Sequence, residues 1–245
     1  MCGRYAVSTD PARLAVEIDA RNEVPDGLIG PDYNVAPTET VMAVVRRHEH
    51  GRPDDDPALR VRAMRWGLVP PWTTELGAGP LLVNARAETV LNKPAFARSA
   101  RGKRALIPMD GWYEWRAGPP GPGGKPVKVP YYMSPADGSR LFMAGLWSAW
   151  RPPAARAAGD DTAWVSSATI ITTAAVGALA GIHDRMPLVM PVEFWDAWLD
   201  PDAPADPALL HPPARELVDA IEIREVSPLV NRVSNNGPRL LDPVE

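Results

Sequence analysis

At 245 residues, with 45% apolar content and a net charge of −4, the chain is long enough to bury one sizeable core, and its charge excludes a protein that coats duplex DNA by bulk electrostatics. The single cysteine excludes an intramolecular disulfide framework and a cysteine-rich zinc site, and four scattered histidines give no metal-ligand spacing, so no metal or other cofactor is expected. No secretory leader is recognisable and no apolar run approaches about 20 residues, so the expectation is an intracellular protein, cytoplasmic or nucleoid-associated in a bacterium, that neither crosses nor binds a membrane.

Cys2 stands directly after Met1. Removal of the methionine, which a small second residue permits, would leave an α-amine and a thiol on adjacent carbons. Such a 1,2-aminothiol condenses with an aldehyde to an imine, and the sulfur then closes onto the same carbon to give a five-membered thiazolidine. An α-amine titrates near about 7.7–8.0 and a free thiol near about 8.5, so both nucleophilic forms are populated at neutral pH. The chemistry points to an aldehyde substrate; the ordinary alternative is an incidental small residue.

Ser8-Thr9-Asp10-Pro11 places a capping side chain before a first-turn proline, and Leu14 and Ile18 share an apolar face, which predicts a helix over about residues 10–20. Strands are predicted at Val41–Arg46, Val61–Trp66, Arg104–Pro108, Trp112–Trp115, Val129–Met133, Leu141–Trp147, Trp164–Thr172 and Ile221–Val226. Further helices are expected at Val192–Leu199 and Ala208–Ala220. The Gly/Pro-rich run after Arg116 turns the Trp112 strand back toward the Tyr131 strand, while Asp54-Asp55-Asp56-Pro57, with His48 and His50 before it, reads as a solvated turn. With no repeat and no long linker, one domain over residues 1–245 follows. It is an α+β fold, a curved, mostly antiparallel sheet or barrel-like core with peripheral helices. No Gly-rich phosphate loop follows a strand, which argues against a nucleotide-cofactor fold.

Polar residues interrupt otherwise apolar segments in Tyr33-Asn34-Val35-Ala36-Pro37-Thr38, Asn84-Ala85-Arg86-Ala87-Glu88-Thr89, Asp110-Gly111-Trp112-Tyr113-Glu114-Trp115 and Ile182-His183-Asp184-Arg185-Met186-Pro187. Together with Met1-Cys2-Gly3-Arg4-Tyr5, Trp66-Gly67-Leu68-Val69-Pro70-Pro71-Trp72, Val230-Asn231 and Pro238-Arg239-Leu240-Leu241, these blocks resemble, in order and over nearly the whole chain, the signatures of the SRAP family, the SOS response-associated peptidases. The resemblance implies an α+β fold with a barrel-like β core. It also implies a basic channel leading to a mature N-terminal cysteine, which crosslinks to the ring-opened aldehyde of an abasic site in single-stranded DNA.

Within that resemblance Cys2, Asn84, Glu114 and His183 are the catalytic set. Glu114 lies between Trp112 and Trp115 in sequence, where desolvation would raise its pKa, and acts as an acid/base; an exposed strand glutamate is the alternative. His183 suits proton transfer as the closed sugar opens, and Asn84 can orient the amine or a deoxyribose hydroxyl without charge. Either could instead be structural. Arg4, Arg86 and Arg185 are assigned to backbone phosphates, with Lys93 and Arg98 as further basic candidates, although surface arginines are commonly just solvated. Trp72 is assigned to base stacking at the lesion or at a junction of single and double strands, the alternative being a core tryptophan. Pro37 and Thr173 are placed in the channel wall. Two departures from relatives stand out: Thr73 follows Trp72 where some have a second aromatic, and Ala105 or a neighbour replaces a second cysteine.

Three functions are consistent with these residues. The leading one is a monomeric sensor and shield of abasic sites, active during replication and SOS repair, with a covalent thiazolidine link and an associated lyase activity. The second is a thiol peptidase that removes its own initiator methionine. The third is a module that binds single-stranded DNA non-covalently.

Overall fold

The computed structural model describes residues 2–52, 54–121 and 123–244. The chain begins with β1 (Tyr5–Val7) and helix α1 (Pro11–Glu17). Asp10 caps α1 by accepting from the Arg13 N–H at 2.9 Å, and Pro11 occupies its first turn. The helix is shorter than the predicted 10–20, because Asp19 takes up a left-handed conformation (φ 51°) that helical backbone does not continue through. There follow β2 (Arg21–Asn22), β3 (Asp32–Val35), β4 (Thr40–Arg47), β5 (Ala58–Trp66), β6 (Asn84–Arg86), helix α2 (Pro94–Ala100), β7 (Arg104–Met109), β8 (Gly111–Pro120), β9 (Pro126–Pro135) and β10 (Leu141–Trp150). After a short helix α3 (Pro153–Ala157) come β11 (Val165–Ala174), β12 (Arg185–Pro187), α4 (Trp195–Leu199), α5 (Arg215–Asp219) and β13 (Ile221–Glu225).

Eight of the strands join in one sheet, and the parallel pairing of β11 with β5 closes the circuit β5–β4–β7–β10–β11 into a small barrel. Closure removes the free edges that an open sheet would present. The other five strands form an antiparallel sheet in the order β13-β9-β8-β1-β3. Its long β8–β9 hairpin runs from Trp112↔Met133 out to Pro120↔Pro126, so the Gly/Pro-rich run turns the chain as predicted, but further out along extended arms. Alternation along these strands separates two faces. Tyr5, Val7, Trp112 and Met133 face the main core shared with the barrel, whereas Ala6, Tyr113 and Tyr132 join Val226 and Val230 in a small cluster on the other side.

The eight predicted strands are all present: six extend beyond the expected bounds at one or both ends, the Trp164 strand runs instead from Val165 to Ala174, and the Ile221 strand ends at Glu225, one residue early. The predicted helix Ala208–Ala220 is instead a 3-10 turn (Pro207–Leu210) and the five-residue α5. His211-Pro212-Pro213 lies between them, and two successive prolines deny the backbone donors that a continuous helix needs. Among the described residues no helix is long and apolar enough to cross a membrane.

Gly111 marks the tightest crossing of the antiparallel sheet, since a β-carbon there would come within 2.3 Å of the Met133 carbonyl oxygen and 2.5 Å of the Tyr132 ring. Neither backbone nor a ring held in the core can retreat cheaply. Gly111→Ala is therefore expected to destabilise the protein by about 1–3 kcal/mol, read as a lower urea midpoint at unchanged slope.

Candidate functional site

The antiparallel pairing of β1 with β8 carries the amino-terminal segment to the Asp110 block. Tyr5 pairs with Trp112, Ala6 with Gly111, and the Tyr113 N–H donates to the Arg4 carbonyl at 2.9 Å. Cys2 lies just beyond this pairing, with its thiol fully buried. Burial, and next the negative charge of Glu114, push the thiol pKa far above the ordinary value. Glu114 shares the core-facing side of β8 with Trp112, while Trp115 is on the opposite face, so only one of the two flanking tryptophans shares its side of the sheet. At 4% exposure Glu114 is not the surface glutamate of the alternative reading. Burial raises its carboxyl pKa.

Asn84 arrives from the other sheet. It opens β6, which lies parallel to β11 with Asn84 opposite Ile170, and its Nδ2 donates to the Cys2 carbonyl oxygen at 2.8 Å. Its Oδ1 is buried with no hydrogen-bond partner among the described residues. A buried acceptor left in that state is costly, and it is available to an incoming N–H or O–H.

His183 follows the 3-10 turn Gly177–Gly181 and is 28% exposed along its side chain, so solvent reaches it. Its Nδ1 lies 3.0 Å from the Arg185 backbone N–H and 2.8 Å from Asp184 Oδ1. One ring nitrogen cannot serve both at once. When protonated, Nδ1 donates to the carboxylate; when it is bare and the proton is on Nε2, it accepts from the backbone. The ring thus has a partner in either protonation state.

The arginines differ in their commitments. Arg4 donates to Asn34 Oδ1 at 2.7 Å and to the Val230 carbonyl at 2.9 Å, with its guanidinium 5.8 Å from the Trp115 ring centre. Arg185 forms a two-pronged pair with Glu88 at 2.6 and 2.9 Å and also donates to the Thr172 carbonyl at 2.5 Å; hydrogen bonding to it holds the Glu88 carboxyl below its usual range. Arg86 is exposed beside a hollow of about 670 Å³ lined also by Glu88, Thr89, Asn92 and Lys93. Trp72 is 59% exposed, Pro37 is half-buried, and Thr173 is buried opposite Met186 rather than presented to solvent. Lys93 reaches over the Phe96 ring and Arg98 is exposed on α2.

Glu88 and Asp184 were not singled out from sequence, although each lies in a block that was. A glutamate four residues after Asn84 and an arginine two after His183 are opposite charges in two otherwise conspicuous segments. That was the available signal for their pairing. A separate apolar cavity of about 670 Å³, between α1, β10 and α4, contains none of these residues. No group of three or more His, Cys, Asp or Glu side chains that could hold a metal occurs among the described residues.

Comparison with known proteins identifies the family. The family profile described as SOS response associated peptidase (SRAP) matches residues 1–233. The chain is 32% identical over 243 residues to the abasic site processing protein YoqW of Bacillus subtilis (strain 168), covering 99% of each, and 33% identical over 250 residues to the abasic site processing protein YedK of Escherichia coli (strain K12), covering 100% of each. A crystal structure of a protein from Bacteroides thetaiotaomicron superposes with a TM-score of 0.78 over 100% of both chains at 23% identity, which bears on the fold.

Because Cys2 is the sole cysteine, its burial can be read directly by alkylation. At pH 8, iodoacetamide is expected to modify the folded protein at least about tenfold more slowly than the urea-unfolded chain, since the protonated thiol is the poorer nucleophile. Equal rates in the two states would contradict a buried thiol.

Proposed function

Because the chain belongs to the SOS response associated peptidase (SRAP) family, we propose that it processes abasic sites in single-stranded DNA, through a thiazolidine formed by Cys2 after loss of Met1. The observation that carries this reading is the meeting of Asn84 with Cys2: the amide donates to the Cys2 carbonyl while its buried oxygen is left without a partner among the described residues. An acceptor beside the Cys2 backbone suits an amine N–H or a sugar hydroxyl.

The chemistry balances without a cofactor. The amine adds to the aldehyde carbon of the opened sugar, and the carbinolamine loses water to become an imine. The sulfur then adds to the same carbon while its proton is transferred to the ring nitrogen. One C–N and one C–S bond form, one water leaves, and nothing is oxidised or reduced. Glu114 protonates the departing hydroxyl, takes back the proton that the nitrogen gives up as the imine forms, and relays the thiol proton to that nitrogen as sulfur adds; a carboxyl whose pKa burial has raised keeps its proton nearer to neutral pH, as an acid in this role requires. His183, with solvent access and a partner in either state, transfers the proton that opens the sugar. A thiol this well buried has little thiolate, but closure onto an imine already attached to the same residue is intramolecular. Well-oriented groups reach effective molarities of about 10⁵–10⁸ M, which offsets that scarcity.

Of these three arginines, Arg86 is exposed and has no ion-pair partner among the described residues, which leaves it to meet a backbone phosphate directly, while Arg4 and Arg185 stiffen the walls through Asn34 and Glu88. Trp72 offers an exposed ring on which a base could stack, worth about 1–3 kcal/mol. Pro37, half-buried, is assigned to the wall of the approach, and Thr173, buried on β11, to the layer behind it.

The decisive experiment is a denaturing gel of purified protein with an abasic oligonucleotide. A stable adduct is expected from the mature protein and none from Cys2→Ala or from protein with a blocked α-amine; an adduct that survives both changes would sink the thiazolidine. Binding that is equal for intact and abasic strands and leaves no adduct would favour the non-covalent module. Intact mass of Cys2→Ala and Glu114→Gln tests self-processing, since equal loss of Met1 from both and from wild type removes the peptidase reading. For the pH profile, the rate should rise as the amine deprotonates and fall as Glu114 loses its proton. Glu114→Gln is expected to slow the reaction by about 10²-fold or more and to abolish the fall at high pH.

A further inference from the structure

The site around Cys2 draws on the end of the barrel where β11 finishes, between β6 and β12. At the opposite end, where β4 finishes at Arg47 and the chain enters β7 after Lys103, a second group of charges has no role in that chemistry. Arg47 and Lys103 both approach the buried ring of Trp147, with the guanidinium carbon 5.1 Å and the ammonium nitrogen 4.9 Å from its centre. They border a hollow of about 300 Å³ whose lining also includes His48, Glu49, His50 and Gly102, with the Glu49 carboxylate already paired with Arg21 and Arg60.

Four carboxylates around this hollow are ion-paired with other cations. Glu49 pairs with Arg21 and Arg60, Glu23 with Arg60 and Arg62, Asp196 with Arg46, and Asp202 with His48. Arg47 and Lys103 have no carboxylate partner among the described residues. Burial lowers the pKa of both, and neighbouring positive charge adds to this: Arg98 and Arg47 act on Lys103, and Arg62 acts on Arg47. The aromatic face of Trp147 compensates only partly, since such a contact is worth about 0.5–2 kcal/mol. In a chain of net charge −4, two half-buried cations held together without a bonded carboxylate among the described residues make a local positive field, which Glu23 offsets only in part at Arg47.

We propose that this hollow binds a phosphate group. An arginine fork beside a lysine point charge fits phosphate oxygens, and two uncompensated positive charges match a group carrying up to two negative ones. The phosphate belongs either to the backbone of a nucleic-acid strand or to a small phosphorylated molecule. The site is independent of the Cys2 chemistry, so that failure of one leaves the other standing.

The test follows the indole N–H resonance of Trp147 in the ¹⁵N-labelled full chain at constant ionic strength. In one arm inorganic phosphate replaces chloride; in the other an intact 20-nucleotide strand is added (probe lengths of about this size exceed the ~4–16 nucleotides typical of one binding fold). A saturable shift is expected in wild type, with affinity at least about tenfold weaker in Arg47→Gln/Lys103→Gln, where glutamine keeps the stem but removes the charge. A shift by the strand at far lower concentration than by phosphate identifies a backbone phosphate. In that case the double variant should also flatten the dependence of log affinity on log salt by about 0.7, the value for one lost phosphate contact on a single strand. A shift by inorganic phosphate but not by the strand identifies a small phosphorylated ligand. If the double variant does not fold, Lys103→Gln alone reads the same affinity. No shift with either probe in wild type, or an undiminished shift in the charge-removed variant, overturns the proposal.

Discussion

The arrangement depends on β11 being paired along both edges. One edge takes β10 and then β12; the other takes β5 and then β6. The first half of the strand therefore closes the barrel, and the second half holds two very short strands that could not stand alone. Those short strands are where the chemistry enters: β6 opens with Asn84, and β12 opens with Arg185 two residues after His183. Hydrogen bonds to a central, buried strand supply the stability that three-residue segments lack by themselves. The bond from Arg185 to the Thr172 carbonyl and its pair with Glu88 then tie β12, β11 and the turn after β6 into one rigid wall.

Against this wall the second sheet presents Cys2 and Glu114 through the β1–β8 pairing. The two sheets share one core, so the thiol and the carboxyl meet in a low-dielectric setting that disfavours the charged form of each. The setting distinguishes between electrophiles. A reagent that must find a pre-formed thiolate meets almost none, whereas an aldehyde that first engages the amine delivers its carbon to the sulfur. Selectivity in the proposed reaction thus comes from order of events more than from intrinsic reactivity.

Much of the fold was legible from residues alone because its long strands carry β-branched and aromatic runs, such as Val41 to Arg46 and Leu141 to Trp147. The sharing of sides by Trp112 and Glu114 also follows from the period of two along a strand. What was hidden is non-local. Asn84-Ala85-Arg86 has no strand signature of its own and becomes one only because β11 offers a free edge. His211-Pro212-Pro213 carries the chemistry that breaks a helix, and the apolar spacing on either side of it hid that break. The site blocks could be named from their resemblance to a family, but the inward bonding of Arg4 to Asn34 and Val230 joins positions 30 and 226 residues apart, which no local pattern reports.

That remoteness also has a temporal side. Cys2 precedes Asn84 by 82 residues and His183 by about 180, so it leaves the ribosome well before the side chains that enclose it exist. At about 5–20 residues per second, roughly ten to forty seconds separate the emergence of Cys2 from that of His183. During this interval Cys2 is open to other enzymes that act on the nascent chain, and once β8 and β11 are in place it is buried. The loss of Met1 that the proposed reaction needs thus has its opening while synthesis is still under way, before the fold restricts what approaches Cys2.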